Sequence, residues 1–173
     1  MNMHKLWPIV CLWMGMLLAA VFFVSPAHAQ EQKYAEAPQE VCDQAWTAFL
    51  EDVYTAAIEL AQECIDAHEE DADNEQDRLF REEIPLPPTG PVASSSERKR
   101  IRARVALNNV GRAYFVQVAA AVRLFRQRNI DRFKVNALDA RAEACRYEHA
   151  RFEDPEGYFR SPCQEAANLV REI

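Results

Sequence analysis

The chain has 173 residues, of which 49% are hydrophobic and 27% charged, and its formal net charge is −7. This length suits a single domain with a substantial core and excludes a miniprotein that depends on disulfides alone. The acidic balance argues against nucleic acid as a partner.

An export signal is predicted at the N-terminus. Lys5 provides a short positive region, Leu6 to Val24 form an apolar run, and Ala27-His28-Ala29 is a small-x-small cleavage site, which is typical of a secretory signal peptide. The alternative is a retained membrane anchor, since an apolar run of about 18 residues can span a bilayer. We expect a signal peptide at residues 1–29, a periplasmic location with secretion as the alternative, and no membrane attachment after cleavage.

The remainder is expected to be a single all-α domain behind a loose polar leader. The leader covers residues 30–38, and residues 39–173 carry apolar side chains at helical spacing without a convincing period-two stretch. The clearest interruption is residues 84–96, IPLPPTGPVASSS, which is too rich in proline and serine to be helix. Four or five helices, arranged as antiparallel hairpins on the two sides of this loop, are therefore predicted.

Three helical regions are predicted before residue 151. The first covers residues 39–66 and has a tight break near residues 51–54. Ser94-x-x-Glu97 is a capping box that opens the second, which is expected to end near Asn129. The third begins with Asp131 as its cap and extends to about Ala150.

A helix–turn–helix is predicted over residues 150–166. Asp154-Pro155-Glu156-Gly157 has the residue preferences of a type I turn, and Ser161-Pro162 supplies an N-cap followed by proline at the first helical position. The Asp154 and Glu156 carboxylates would suit acid–base catalysis, but turn chemistry already accounts for Asp154. We expect a hinge here and no catalytic residue.

Four cysteines follow the predicted cleavage site: Cys42, Cys64, Cys145 and Cys163. An even number in an exported chain implies two disulfides, with three possible pairings. Cys145 and Cys163 are centred on the predicted turn, and Cys42 and Cys64 on the predicted break. Because residues equidistant from the bend of an antiparallel hairpin lie opposite each other, the spacing favours the pairs 42–64 and 145–163.

Two patterns of metal ligands compete with simpler structural explanations. The EF-hand ligand spacing is partly followed by Asp71, Asp73, Glu75, Asp77 and Glu82. Gln76 occupies the position that requires glycine, which favours a solvated acidic helix end, with calcium buffering as an alternative. His149 follows Cys145 by four residues, a zinc-like spacing, but a disulfide at Cys145 is favoured in an oxidising compartment. We expect no metal and no other cofactor.

Charge is distributed unevenly along the chain. The net charge is −14 over residues 30–96, +9 over residues 97–134 and −3 over residues 135–173. The basic segment carries a polar stripe, formed by Arg104, Asn108 and Arg112 at positions i, i+4 and i+8. Either these arginines pair with the acidic helices of the same fold, or they bind an anionic partner.

A motif with a glycine and a tyrosine lies in the basic segment, Leu107-x-x-Val110-Gly111-x-x-Tyr114. It resembles the signature W-x-x-L-G-x-x-Y of the tetratricopeptide family, and Tyr54-x-x-Ala57-Ile58-x-x-Ala61 looks like the second helix of such a repeat. The layout is also similar to largely uncharacterised exported bacterial helical proteins of this type. The resemblance implies tetratricopeptide-like hairpins with longer helices, and generic antiparallel helix packing is the alternative.

The expected function is a non-catalytic periplasmic protein-binding or scaffold module. In tetratricopeptide-like folds the face of Arg104, Asn108 and Arg112 would line a groove for a peptide carboxylate, and Tyr158 and Phe159 are expected to be exposed partner contacts. The sequence contains no nucleophile elbow, phosphate loop or HExxH motif. The partner is expected to be an acidic protein or peptide. A small exported enzyme, or an inhibitor of a cell-envelope enzyme, is the alternative.

Overall fold

The computed structural model describes residues 39–173, so the predicted signal peptide at residues 1–29 and the leader at residues 30–38 lie outside the described residues. Within that range the chain forms six helices and one two-stranded sheet, which confirms the mainly helical class. The predicted number of four or five helices is too low, and the small sheet was not predicted. They are α1 (residues 39–50), α2 (Tyr54–Arg81), α3 (Ser95–Arg102), α4 (Val105–Arg128), α5 (Asp131–Ala144), β1 (Phe152–Glu153), β2 (Phe159–Arg160) and α6 (Pro162–Val170). In residues 39–173 we find no helix with the length and apolar character needed to cross a membrane.

Helices α1 and α2 are joined by a tight turn and by a disulfide. The turn passes through Asp52, whose φ of 62° lies in the left-handed region, where aspartate is tolerated better than most residues. The Tyr54 hydroxyl donates a hydrogen bond to Asp52 Oδ1. The Cys42–Cys64 disulfide brings the two Cα atoms to 4.9 Å. The predicted break is confirmed, and Val53 occupies the N-cap of α2.

The basic segment is interrupted where one long helix was predicted. Helix α3 ends at Arg102 and α4 begins at Val105. Asn108 Nδ2 donates to the carbonyl oxygen of Ile101 at 2.7 Å, so a side chain of α4 satisfies a carbonyl that the interruption releases. Ile101 itself is buried, and this contact holds the corner between the two helices.

The ends of the helices agree with the local sequence signals more closely than the interruption between α3 and α4 does. Ser94 Oγ accepts from the amide of Glu97 at 3.3 Å at the start of α3, and Ser161 caps α6 in the same way. Asn129 ends α4 in the left-handed conformation, with φ 51°. Asp131 is the first residue of α5 and not its cap, because Ile130 occupies the N-cap.

Helix α4 is the centre of the fold and packs against α2, α5 and α6. It can do so because small and branched apolar side chains are buried on most of its circumference. Gly111 lies at the tightest point, where an added Cβ would be 2.6 Å from Ala150 Cβ and 3.1 Å from Pro162 Cγ. The conformation of the chain around α6 therefore depends on the absence of a side chain at residue 111.

The predicted helix–turn–helix over residues 150–166 is wrong. Helix α5 ends at Ala144 instead of near Ala150, because the following segment turns inward and buries Tyr147 and His149. Strands β1 and β2 then pair antiparallel and form a hairpin. The Cys145–Cys163 disulfide, with its Cα atoms 4.4 Å apart, closes this segment. Both disulfides thus have the pairing that the spacing favoured.

The predicted turn is present inside this hairpin and is organised by Asp154. The Gly157 amide donates to the Asp154 carbonyl at 2.9 Å, and Asp154 Oδ1 accepts from the amides of Glu156 and Tyr158. Arg160 Nε donates to Asp154 Oδ2 at 2.7 Å. Desolvation alone would raise the pKa of Asp154, but the Tyr158 amide and Arg160 outweigh it, so the pKa is lower than usual.

Two tyrosines connect the acidic side of α2 to the core. The Tyr114 hydroxyl donates to Glu69 at 2.9 Å and the Tyr147 hydroxyl to Asp73 at 2.7 Å. Their rings stack with centroids 5.9 Å apart. Burial, and then the hydrogen bond to the carboxylate, raises the pKa of each hydroxyl. Two acidic residues of α2, Glu69 and Asp73, therefore take part in the packing of α2 against the core.

Candidate functional site

The predicted partner-binding residues of the basic segment are divided between two clefts. Asn108 and Arg112 lie on α4 and line one cleft, whereas Arg104 lines another. Arg104 occupies the N-cap of α4, with ψ 61°. The stripe expected at i, i+4 and i+8 therefore begins outside the helix, and it does not form one continuous face.

The two predicted aromatic contacts also differ from each other. Tyr158 is 40% exposed, in agreement with the prediction, but Phe159 is only 2% exposed, so the prediction that it is exposed is wrong. Phe159 exchanges two main-chain hydrogen bonds with Gly90, at 2.7 and 3.1 Å. These bonds place the proline-rich loop against β2 and help to bury the Phe159 side chain.

The first cleft, called the polar cleft below, lies between the start of α1, α4 and the β-hairpin. Its volume is about 200 Å³, and it is lined by Gln39, Arg102, Val105, Asn108, Asn109, Arg112, Arg151, Phe152, Glu153 and Phe159. Three guanidinium groups and three side-chain amides therefore surround a small apolar surface. Such a lining suits a ligand with carboxylate or amide groups.

Two arginines at the edge of the polar cleft form ion pairs with carboxylates of the same chain. Arg112 Nη2 lies 2.6 Å from Asp43 Oδ1 of α1. Arg102 binds the Glu153 carboxylate at both oxygens, at 2.7 and 3.0 Å, which raises the pKa of Arg102. Arg112 of the basic segment therefore pairs with an acidic helix of the same fold, which is one of the two alternatives derived from the sequence. The Arg112 side chain is 19% exposed and that of Asp43 is 59% exposed.

The amide side chains of the polar cleft are engaged within the fold. Asn108 Oδ1 accepts from the amide of Arg151 at 2.9 Å, in addition to its bond to Ile101. The buried Asn109, which sequence reasoning missed, donates from Nδ2 to Gln39 Oε1 at 2.7 Å. Asn108 and Asn109 therefore position the walls of the cleft.

Arg151 is the central residue that the sequence did not reveal. It is buried, and the hydrogen bonds of its side chain within the described residues go to the carbonyls of Pro87, Pro88, Glu148 and Ala150. Burial, and then the charge of Arg104, lowers the pKa of Arg151 to about 10, so the group is cationic at neutral pH. The sequence did not reveal this role because Arg151 lies between a predicted helix and a predicted turn, and no neighbouring residue indicates that its side chain is buried.

The second cleft, called the proline cleft below, lies between the proline-rich loop and α3. Its volume is about 530 Å³, and it is lined by Ile84, Pro85, Leu86, Pro88, Pro91, Val92, Ala93, Ser94, Glu97, Arg100 and Arg104. Arg104 Nη1 is buried and finds no hydrogen-bond partner within residues 39–173. Desolvation lowers the pKa of Arg104, and Glu75 opposes this shift. A buried donor without an acceptor costs about 1–3 kcal/mol.

The metal sites considered from the sequence are not formed by the described residues. Residues 39–173 contain no group of three or more side chains that could hold a metal ion, and most of the EF-hand-like pattern lies within α2. Cys145 is in a disulfide. His149 Nδ1 lies 3.0 Å from Gln76 Nε2, and its Nε2 lies 2.8 Å from Ile84 O. The carbonyl can only accept, so Nε2 is the protonated nitrogen.

The carboxylate pair Asp154 and Glu156 lies outside both clefts. Asp154 is held by the turn amides and Arg160, and Glu156 Oε2 is 3.9 Å from Arg160 Nη2. Neither residue lines the polar cleft or the proline cleft. The observed contacts of this pair are those of a turn and its ion pairs.

Comparison with known proteins gives no relative from which a function could be transferred. No protein-family model matches the chain, and no curated protein and no solved structure is significantly similar to it. The function must therefore be argued from the chemistry of its own clefts.

Proposed function

We propose that this protein is a non-catalytic, periplasmic protein-binding module whose polar cleft receives an acidic segment of another protein. The observation that carries the proposal is the unequal exposure of the Arg112–Asp43 ion pair. Arg112 is largely buried and fixed on α4, whereas the Asp43 carboxylate is mostly exposed at the edge of the cleft. A carboxylate of the partner can take the position of Asp43.

The energetics of surface ion pairs favour such an exchange. An exposed ion pair contributes about 0–1 kcal/mol, so the displacement of Asp43 costs the fold little. Arg102 lines the same cleft, where it is paired with Glu153, and the rings of Phe152 and Phe159 are largely buried in its wall. An acidic peptide with an apolar neighbour next to its carboxylate is the partner that fits this lining.

We also propose a tetratricopeptide-like arrangement in which α1–α2 and α4–α5 are two helical hairpins. The short turns at residues 51–53 and 129–130 support it, as do the Cys42–Cys64 disulfide and the packing of α4 against α2 and α5. The two disulfides suggest an oxidising extracellular environment. A periplasmic location agrees with that environment, and secretion is the alternative.

The proposal is tested with Asp43→Asn and Arg112→Met, a matched pair because each removes one member of the same ion pair. The protein and both variants are used in pulldowns from periplasmic extract, and the captured partner is then purified and titrated by calorimetry. We expect Asp43→Asn to bind the partner more tightly, because Arg112 loses its competitor. We expect Arg112→Met to bind at least tenfold more weakly.

The stability of both variants separates binding from folding. Urea unfolding should show a small and similar loss for Asp43→Asn and Arg112→Met, because both break the same pair. Partner affinity that falls equally in both variants, in proportion to stability, would rule out the binding role. Hydrolysis of a cell-wall substrate, or inhibition of a cell-envelope enzyme by the purified protein, would favour the alternative instead.

A further inference from the structure

We propose that the proline cleft binds a small aliphatic carboxylate, with the carboxylate on Arg104 and the hydrocarbon chain along the proline-rich loop. This ligand and this cleft are separate from the acidic partner proposed above. The inference does not depend on that proposal, because no residue lines both clefts.

The charges around Arg104 favour a single negative group. Arg100, the other arginine of the cleft, is already paired with Glu97, whereas Arg104 Nη1 lacks a hydrogen-bond partner in the part of the chain that the structure describes. Arg78 and Arg100 act on Arg104 as like charges and Glu75 as an opposite charge. Glu75 pairs with Arg78 at 3.7 Å, and among the described residues no carboxylate forms an ion pair with Arg104. A ligand carboxylate in the cleft would lie beside Arg104, which lines it, and would offset its charge.

The loop side of the cleft suits a hydrocarbon chain better than a peptide main chain. Pro85, Pro88 and Pro91 have no amide hydrogen to donate. The carbonyl of Pro88 already accepts from Arg151, and that of Val92 from Arg98. A peptide that adds as a strand needs alternating donors and acceptors on the edge that it joins, and this wall offers few of them.

The dimensions of the cleft define the size of the ligand. Its volume of about 530 Å³ lies within the range of roughly 300–1,000 Å³ for small-molecule sites. Since a cavity of about 150 Å³ takes benzene, a chain of medium length fits along the wall. Leu86 lines the cleft and is 54% exposed, and such a chain would cover part of it.

The test is calorimetric titration with decanoate and with decanol, which share the chain and differ in charge. The protein is purified after expression of all 173 residues and is titrated at pH 7.5, below the concentration at which decanoate forms micelles. We expect saturable binding of decanoate at one site and binding of decanol at least tenfold weaker. Arg104→Met should reduce decanoate affinity at least tenfold, and Arg104→Lys by less.

Two further variants make the result specific. Leu86→Asp changes an exposed side chain that lines the cleft, and we expect weaker binding of decanoate without loss of fold. Arg112→Met, which belongs to the polar cleft, should leave decanoate binding unchanged even if it abolishes partner binding. Circular dichroism and urea unfolding of each variant show that the fold is retained.

Several outcomes would overturn the inference. The first two are equal affinity for decanoate and decanol, and the absence of saturable binding by the folded protein. The others are an unchanged decanoate affinity in folded Arg104→Met and Leu86→Asp, and binding of decanoate at many weak sites, as a detergent binds. Tighter binding of an acetylated tripeptide that ends in leucine would also overturn it, since the occupant would then be a peptide C-terminus.

Discussion

The Arg151 guanidinium reaches from the residue before β1 to the main-chain carbonyl of Pro87, with an Nε–O distance of 3.0 Å. It thereby holds the proline-rich loop against the body of the fold. Arg151 also lines the polar cleft, and the loop that it holds forms one wall of the proline cleft. One buried side chain therefore supports both candidate sites.

Arg151→Met should destabilise the fold by about 2–3 kcal/mol, because it leaves buried carbonyls of Pro87 and Ala150 without their donor. Arg151→Lys should lose less, since it retains the charge but has fewer donors. Urea unfolding at pH 7.5 measures both. The matched control is Arg128→Met, which changes an exposed arginine at the end of α4 and should be nearly neutral. A loss as small as that of the control would contradict the structural role of Arg151.

Tyr147→Phe should destabilise the protein by about 1.5–3 kcal/mol at pH 7, because it removes the hydrogen bond to the Asp73 carboxylate. Tyr158→Phe, at an exposed tyrosine, is the control and should change little. Urea unfolding gives both values. A neutral effect of Tyr147→Phe would show that the bond to Asp73 contributes nothing net.

The same variant should alter the dependence of stability on alkaline pH. The pKa of Tyr147 is raised in the folded state by burial and by Asp73, so the unfolded state releases this proton first. Its contribution is complete below the unfolded pKa of about 10 and is lost as pH rises above that value. We expect the wild type to lose stability more steeply than Tyr147→Phe between pH 10 and 11.5. Parallel curves would contradict this assignment.

Gly111→Ala should destabilise the fold although alanine is the better helix former. Removal of glycine from a helix gains up to about 1 kcal/mol, but the new Cβ would lie 2.6 Å from Ala150 Cβ, and overpacking costs about 1–3 kcal/mol. Ala150→Gly in the same chain should recover part of the loss, and a double-mutant cycle from urea unfolding measures the coupling. A stabilised Gly111→Ala protein would show that the contact between residues 111 and 150 is looser than observed.

Removal of the second disulfide by the double change Cys145→Ala and Cys163→Ala should cost about 3 kcal/mol, and so should the corresponding change at Cys42 and Cys64. We expect similar losses for the two disulfides because their sequence separations are 22 and 18 residues. The entropy that a disulfide removes from the unfolded chain depends only weakly on loop length. Unfolding of the wild type with and without a reductant provides the comparison. A protein that lacks all four cysteines should not respond to the reductant, and any response would indicate a different origin of the effect.

Local signals in the sequence predicted those features that depend on neighbouring residues. Ser94 and Ser161 cap helices because their hydroxyls reach amides three residues ahead. Cys145 and Cys163 pair across a bend that the sequence places between them. Interactions of this kind require no knowledge of the rest of the fold, so spacing and residue type are sufficient.

Features that depend on distant contacts could not be predicted in this way. The corner between α3 and α4 needs Asn108 at the carbonyl of Ile101, although the helical periodicity continues through it. Phe159 is buried because Gly90, far away in sequence, bonds to its main chain. Arg104 and Arg112 share a helical spacing but line different clefts, because the chain leaves the helix at Arg104.

The two disulfides join consecutive cysteines, Cys42 with Cys64 and Cys145 with Cys163, so neither ring encloses a cysteine of the other. A chain that enters an oxidising compartment N-terminus first presents the first pair before the second, and oxidation in order of arrival gives the native bonds. Closure of short loops is also favoured over closure of long ones in an unfolded chain. The covalent framework can therefore be completed without an isomerase to exchange mismatched bonds.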